Sequence, residues 1–179
     1  MRQLFEYLML KGGLWSPFSL ANNQIMDNAT LTTLVQEQLD QLDAFAVELN
    51  LGSDMHIKVH ADLNEGHISV AQLRQITRAI KGELGDDFED YSIEVSSPGM
   101  FTPFVVEAQY KKNIGRSVVA TMLNGNEHKG KLTAYDGESV TLTWRERVPK
   151  PVGKGKVTTD MSVTLTLTDI KQLILDFKF

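Results

Sequence analysis

A stretch of twelve residues, from position 145 to 156, contains five basic side chains and one acidic side chain. Its basic members are Arg145, Arg147, Lys150, Lys154 and Lys156. Lysine and arginine attract phosphate, and arginine can also bind it through two parallel hydrogen bonds. Because prolines and glycines interrupt the stretch, we expect an exposed cationic loop rather than an interior strand. Contact with nucleic-acid phosphates is the functional interpretation, and a solubilising hairpin tip is the alternative.

Further basic residues are expected to enlarge the same surface. They are Lys129 and Lys131, together with Lys111, Lys112 and Arg116. Aromatic residues are scarce beside them, so stacking of single-stranded bases is not indicated. The predicted recognition is therefore electrostatic.

Residues that could support catalysis or bind a metal have unsuitable spacing. On a strand, His56 and His60 would lie roughly 13 Å apart, which is too far to share one ion. Ser96 and Ser97 lack the G-x-S-x-G elbow of a nucleophile and, beside Pro-Gly, are expected to form a turn. The Gly- and Lys-rich segment 153–156 lacks the spacing of a phosphate-binding loop. We predict no catalytic residue, metal or cofactor.

The composition is that of a globular protein, and its charge is unevenly distributed. The 179 residues are 42% hydrophobic and 23% charged and include no cysteine, which fits a reducing compartment. Residues 1–102 carry 6 basic and 15 acidic residues, whereas residues 103–179 carry 12 and 8. Such asymmetry indicates either two halves with different partners or two ordinary solvated surfaces.

The first 25 residues loosely imitate a signal peptide. Glu6 and Lys11 interrupt the apolar stretch, so secretion is the less favoured interpretation. We expect residues 1–26 to be an N-terminal extension or a mis-assigned start, with Met26 as the true first residue. No run approaches the roughly 20 apolar residues that span a bilayer.

Hydrophobic periodicity over residues 27–98 predicts the order helix, strand, strand, helix, strand. Asp27, Asn28 or Thr30 can cap the first helix, and Ser69 with Gln72 fits a capping box for the second. The buried stripe of the second helix is expected at Val70, Leu73, Ile76, Ile80 and Leu84. The three strands and two one-sided helices predict a two-layer α/β domain.

One face of the predicted sheet has no helix to cover it. Alternation places Phe45, Val47 and Leu49 together on one side of the first strand. The open face is expected to display Glu48, His56, Lys58, His60, Asp62, Ser92 and Glu94. This polar surface faces water or a partner.

From residue 96 onward, the sequence predicts a turn, a short helix and then strands. Residues 96–99 predict a rigid turn that leaves the first domain, in which Gly99 can adopt positive φ. A short helix is expected over residues 107–113. From Gly115 onward, five short strands predict a small closed barrel, and Asp136-Gly137 is a strong hairpin signal.

The segment Tyr91-Ser92-Ile93-Glu94-Val95-Ser96-Ser97-Pro98-Gly99 resembles the hallmark of the RimP family of ribosome maturation factors. Further similar segments follow in the family's order: residues 110–115, 130–132, 136–137, 140–142 and 169–171. The similarity covers roughly residues 29–179. Where the family usually has an Asp-Arg pair, this chain has Phe101-Thr102, so any role of that arginine cannot be carried over.

The resemblance implies an α+β protein with two domains. These would be an N-terminal two-layer α/β domain at 27–98, a linker with a short helix at 99–114, and an Sm-like or SH3-like β-barrel at 115–179. It also implies a non-catalytic, cytoplasmic role in assembly of the small ribosomal subunit, with immature rRNA and ribosomal proteins as partners. Ser96, Ser97, Pro98 and Gly99 would be structural or interface residues. We expect a monomer when free; a free-standing Sm-like RNA-binding module is the alternative.

Overall fold

The computed structural model describes residues 26–150 and 152–177 of the chain. The expectations for residues 1–25 lie outside this range. The described chain is an α+β protein with three α-helices and two β-sheets. No helix in these ranges is long and apolar enough to cross a membrane.

The N-terminal elements follow the predicted order. They are α1 (Asn28–Gln41), β1 (Ala44–Leu51), β2 (His56–Leu63), α2 (Val70–Leu84), a 3-10 helix (Gly85–Asp90) and β3 (Ser92–Ser96). The sheet order is β1-β2-β3, with β1 antiparallel and β3 parallel to the central β2.

Both helix starts were predicted from capping residues, and both are confirmed. The Asp27 carboxylate accepts a hydrogen bond from the Thr30 backbone N–H at 2.7 Å. Ser69 and Gln72 form the reciprocal capping box of α2. Each cap satisfies backbone donors that the first helical turn leaves unpaired.

One face of the N-terminal sheet packs against α1 and α2. The fully buried side chains at the centre of this core are Leu31, Val35, Leu39, Ile57, Val59, Ala61, Ile76 and Ile80. The predicted stripe of α2 is wrong at its first residue, because Val70 is 63% exposed. Val70 is the first residue of α2.

The predicted alternation along β1 is wrong because the strand contains a β-bulge. The register with β2 shifts between Ala46 and Glu48. One extra residue reverses the alternation, so Ala46 and Leu49 both pack against the helical core. Phe45 instead lies on the opposite face, where the Lys112 ammonium is 5.9 Å from its ring centre.

The C-terminal elements comprise a short helix and five strands. They are α3 (Glu107–Lys112), β4 (Ser117–Met122), β5 (Glu127–Tyr135), β6 (Ser139–Pro149), β7 (Lys156–Thr166), a 3-10 helix (Leu167–Asp169) and β8 (Ile170–Leu175). Their order in the sheet is β7-β6-β5-β4-β8, and every neighbouring pair is antiparallel. A second core lies on one face of this sheet, around Val118, Leu132 and Leu142.

The expectation of a closed barrel is not met by the described strands. No backbone ladder joins the two outer strands, β7 and β8, of the described sheet. Instead, β6 and β7 form one long hairpin. They pair along their full lengths, from Ser139↔Thr166 to Pro149↔Lys156. Because β5 pairs with β6 only as far as Thr143, the hairpin projects beyond the sheet.

The predicted loop over residues 145–156 is therefore strand at both of its ends. Residues 145–149 belong to β6, and β7 begins at Lys156. The proline and glycine signals mark only the end of the hairpin, where Gly153 and Gly155 have φ of 87° and 115°. Pro149 is compatible with a strand here because it is the last residue of β6.

Gly130 on β5 is required by the close approach of β6. A Cβ atom at this position would lie 2.9 Å from the carbonyl oxygen of Thr143 and 3.3 Å from the Cβ of Leu142. Both neighbours belong to the paired sheet and cannot move independently.

We expect Gly130→Ala to lower the free energy of unfolding by about 1–3 kcal/mol through overpacking. The control is Gly82→Ala in α2, where a Cβ atom has no neighbour within 4 Å. That change should raise the free energy of unfolding by about 0.5–1 kcal/mol. Urea titration of both variants measures the difference, and equal effects would contradict the assignment.

The Asp136 carboxylate accepts the side-chain hydrogen bonds of the Asp136-Gly137 hairpin turn. Asp136 accepts hydrogen bonds from the Ser139 hydroxyl at 2.8 Å and from the backbone N–H groups of Ser139 and Glu138 at 2.7 and 3.0 Å. These bonds, above all the one from the Ser139 hydroxyl, lower the pKa of Asp136 below its ordinary value of 3.8.

A carboxyl group whose pKa is lower in the folded state than in the unfolded state stabilises the fold at pH values above its unfolded-state pKa. This stabilisation is lost as the pH falls through the folded-state pKa. We expect Asp136→Asn to reduce thermal stability at pH 7. The deficit relative to the parent protein should shrink below pH 3.8, the ordinary carboxyl pKa. Melting curves at pH 7 and at pH 3 test this; a deficit that is constant with pH would show that the charge is irrelevant.

Candidate functional site

The residues singled out at positions 96–99 form the exit from the N-terminal sheet. Ser96 ends β3, and Ser97 and Gly99 are exposed. The backbone N–H of Thr102 donates to the Gly99 carbonyl oxygen at 3.0 Å, which closes a tight turn.

Gly99 can adopt positive φ, but it does not do so here, since it is absent from the positive-φ residues of the described backbone. A Cβ atom there would meet only the Thr102 hydroxyl oxygen, at 3.0 Å. The constraint on Gly99 is therefore local contact within the turn rather than a left-handed backbone.

A cleft of about 340 Å³ lies between the two sheets, beside this turn. Its lining residues include Ser97, Pro98, Gly99, Met100, Phe104, Arg116 and Phe177. The turn residues thus form one wall of the cleft, and the start and end of the C-terminal part form the other. This places the predicted motif at the junction of the two sheets.

An ion pair crosses the same junction. The Lys112 ammonium at the end of α3 contacts the Asp62 carboxylate of β2 at 2.5 Å. Their side chains are only 8% and 19% exposed. Lys112 was predicted to join a cationic surface, but its charge is directed into the junction and is neutralised there.

Sequence reasoning missed two polar residues that organise this junction. The Gln109 side-chain oxygen accepts from the backbone N–H groups of Val105 and Val106 at 2.8 and 3.2 Å, which caps the start of α3. The Asn113 side chain donates to the Gln109 carbonyl at 2.7 Å and accepts from Arg116 at 3.0 Å. Both amides are buried. The only available signal was Gln109 at the capping-box position after Val106.

The outer face of the N-terminal sheet carries a charged network. The His60 imidazole lies between the Glu48 and Glu94 carboxylates, at 3.3 and 3.4 Å, and Glu48 also pairs with Lys58 at 3.0 Å. His56 is 3.7 Å from Glu94. The predicted polar residues are thus together on one face, where the imidazole rings and Lys58 contact the two carboxylates. No cluster in the described chain has the ligands for a metal ion.

The five basic residues of 145–156 lie on the projecting hairpin, whose described residues, 144–150 and 152–161, we call the cationic arm. Arg145 is neutralised in part, because its guanidinium contacts the Asp160 carboxylate opposite at 2.9 Å. Arg147 faces Thr158, and Lys156 begins β7. Lys150 and Lys154 lie at the tip; the Lys150 backbone N–H donates to the Gly155 carbonyl at 3.1 Å.

Free positive charge on the arm is therefore concentrated toward its tip. Among the described residues, Arg147, Lys150, Lys154 and Lys156 have no carboxylate within 4.0 Å. Lys131 is likewise unpaired and lies on β5 opposite Thr143, on the same face as Arg145. By contrast, Lys129 lies 3.7 Å from Glu127 and Lys111 lies 2.7 Å from Glu107.

Comparison with known proteins gives the family. The ribosome maturation factor RimP of Christiangramia forsetii is 40% identical over 126 residues, which cover 70% of this chain and 81% of the relative. The chain belongs to the RimP family. RimP of Flavobacterium psychrophilum is 30% identical over 73% of this chain and 83% of its own, and RimP of Porphyromonas gingivalis is 27% identical over 84% and 98%. No protein-family profile matches the chain.

Phe101-Thr102 stand where the resemblance to the RimP family predicts an Asp-Arg pair, and the structure shows the local contacts. The Phe101 ring meets the Phe177 ring edge to face, with centroids 5.8 Å apart. Nearby, Tyr110 stacks on Tyr135 at 4.9 Å and contacts Phe104 edge to face at 5.4 Å. Aromatic contacts therefore anchor the chain where it enters the C-terminal sheet, and the burial raises the pKa of Tyr110.

Replacing Lys112 by Met should lower the free energy of unfolding by about 3 kcal/mol, because it leaves the Asp62 carboxylate without its partner in a largely buried position. The double variant Asp62→Asn with Lys112→Met should lose less, since no charge is then left unpaired. The matched control is Lys111→Met on the exposed side of the same helix, which should change little. Urea unfolding measures all three; equal losses for Lys111 and Lys112 would contradict the assignment.

Proposed function

We propose that this chain is a non-catalytic assembly factor for the small (30S) ribosomal subunit. It would bind the immature subunit through rRNA and ribosomal proteins in the cytoplasm. Membership of the RimP family is the observation that carries the proposal, because the relatives are named as ribosome maturation factors. We further propose two domains, at residues 27–98 and 115–179, joined by residues 99–114. The second would be a variant of the Sm-like or SH3-like fold, its sheet left open.

The cationic arm is the proposed contact with rRNA. Its free charges lie at the end of a hairpin that projects beyond the sheet, so they can approach a phosphate backbone without obstruction from the body of the protein. Lysine and arginine contacts to phosphate displace condensed counterions, which makes such binding strongly dependent on salt. The acidic N-terminal half would face basic ribosomal proteins or repel RNA from other sites.

The residues at 96–99 would act as a spacer rather than as a nucleophile. Ser97, Pro98 and Gly99 line the junction cleft, in which the Lys112–Asp62 pair fixes the position of α3. We propose that this turn sets the orientation of the arm relative to the acidic sheet, so that one molecule can contact RNA and protein together.

Gradient sedimentation of cell extract tests the proposed function. We expect the protein to migrate with free small subunits and not with translating ribosomes. Absence from all ribosomal fractions would reject the assembly role. Binding of short RNA by the purified protein, without any association with subunits, would instead favour a free-standing RNA-binding module.

Salt dependence tests the role of the arm. The triple variant Arg147→Ala, Lys150→Ala and Lys154→Ala should weaken association with immature subunits and reduce the slope of log affinity against log salt by about 2–3. The control variant Arg74→Ala, Arg78→Ala and Lys81→Ala removes the same charge from α2 and should leave the slope unchanged. Equal slopes for the two variants would exclude the arm as the RNA contact.

A further inference from the structure

The strands of the cationic arm form a ribbon with two distinct faces. Its five cross-strand pairs run from Arg145↔Asp160 to Pro149↔Lys156. Directly opposed residues of an antiparallel pair point to the same face, and successive residues along each strand point to opposite faces. Because β5 ends its pairing with β6 at Thr143, the ribbon extends beyond the five-stranded sheet.

The basic strand residues of the arm lie on one of these faces. Arg145, Arg147 and the position opposite Lys156 alternate along β6, so the three side chains point the same way. All three are exposed. Lys131 on β5 is also exposed and continues the row toward the sheet. We call these four residues the basic face.

The opposite face carries no basic side chain among the described strand residues of the arm. Its cross-strand pairs are Trp144↔Met161, Glu146↔Thr159 and Val148↔Val157. On the basic face, the described strands of the arm carry one carboxylate, that of Asp160, which contacts Arg145 at 2.9 Å. Charges that served only solubility would not need to share one side of the ribbon. Their arrangement indicates a partner that approaches from that side.

The chemistry of the basic face fits a nucleic-acid backbone better than unstacked bases. Proteins that bind single strands usually provide exposed aromatic rings on which successive bases stack. Residues 145–161 contain no phenylalanine, tyrosine or tryptophan. Trp144 is half-buried and lies on the opposite face. The basic face therefore offers positive charge without a stacking surface.

We propose that the basic face binds double-helical rRNA along the minor groove. The inference rests on the proposed contact of the arm with rRNA. An A-form RNA helix has a deep, narrow major groove that side chains cannot read and a wide, shallow minor groove that displays 2′-hydroxyls. A two-stranded ribbon requires a wide groove. The five pairs of the arm extend roughly 17 Å, at about 3.4 Å per residue.

Each group on the basic face has a matching group along such a groove. Arg147 and Lys156 have no carboxylate within 4.0 Å among the described residues, so both can bind phosphates at the edges of the groove. Thr158 is exposed opposite Arg147, and its hydroxyl can bond a 2′-hydroxyl. These contacts are to the backbone, so the arm recognises the shape of the helix rather than its sequence.

Binding of matched RNAs to the purified full chain tests the form of RNA. An RNA duplex should bind severalfold more tightly than either of its strands alone, measured by fluorescence anisotropy. Two duplexes of unrelated sequence should bind equally, because the contacts are to the backbone. Equal affinity for the duplex and the single strand, or no binding of the duplex, would overturn the inference. Co-sedimentation with small subunits tests the assembly role separately, so the two failures are distinguishable.

A matched pair of substitutions tests which face binds. Thr158 and Thr159 are adjacent and exposed on β7, but Thr158 lies opposite Arg147 and Thr159 lies opposite Glu146. Thr158→Glu should reduce the slope of log affinity against log salt for the RNA duplex by about 1, because the new carboxylate pairs with Arg147 and repels phosphate. Thr159→Glu adds the same charge to the other face and should leave the slope unchanged. Equal slopes for the two variants would overturn the assignment to the basic face.

Discussion

The nearly buried ion pair between Lys112 and Asp62 is the interaction on which the arrangement of the two sheets depends. It joins the last residue of α3 to the central strand of the N-terminal sheet. A buried pair of this kind adds little net stability, because desolvation offsets most of the attraction, but it strongly penalises any geometry that separates the charges. The ion pair therefore fixes the position of α3 relative to β2 and adds little to the free energy of unfolding.

Buried amides extend this constraint into the C-terminal sheet. Gln109 caps the start of α3 and is linked through Asn113 to Arg116, immediately before β4. On the other side of the helix, Phe104 bonds to β8 through its backbone and to Tyr110 through its ring. The short α3 is thus held at both ends, beside the cleft that residues 97–99 line.

The charged side chains of the two sheets differ in how far they are paired. On the N-terminal sheet, Lys58 forms an ion pair with Glu48, and the His60 ring contacts the carboxylates of both Glu48 and Glu94. On the arm, only Arg145 is compensated, by Asp160. The other basic side chains of the arm lie beyond the C-terminal sheet. Solvent screens their charge there, but a polyanion can reach them.

Periodicity and capping residues alone predicted α1, α2 and all of the N-terminal strands, because those signals act within a few residues of one another. Positive φ at Gly137 likewise follows from the local demands of its hairpin turn. The bulge before Glu48, the open sheet and the strand character of Arg145 and Arg147 depend on pairing with distant partners. A local pattern fixes which residues can be buried, whereas strand register and the burial of Lys112 against Asp62 are decided only when segments fifty residues apart meet.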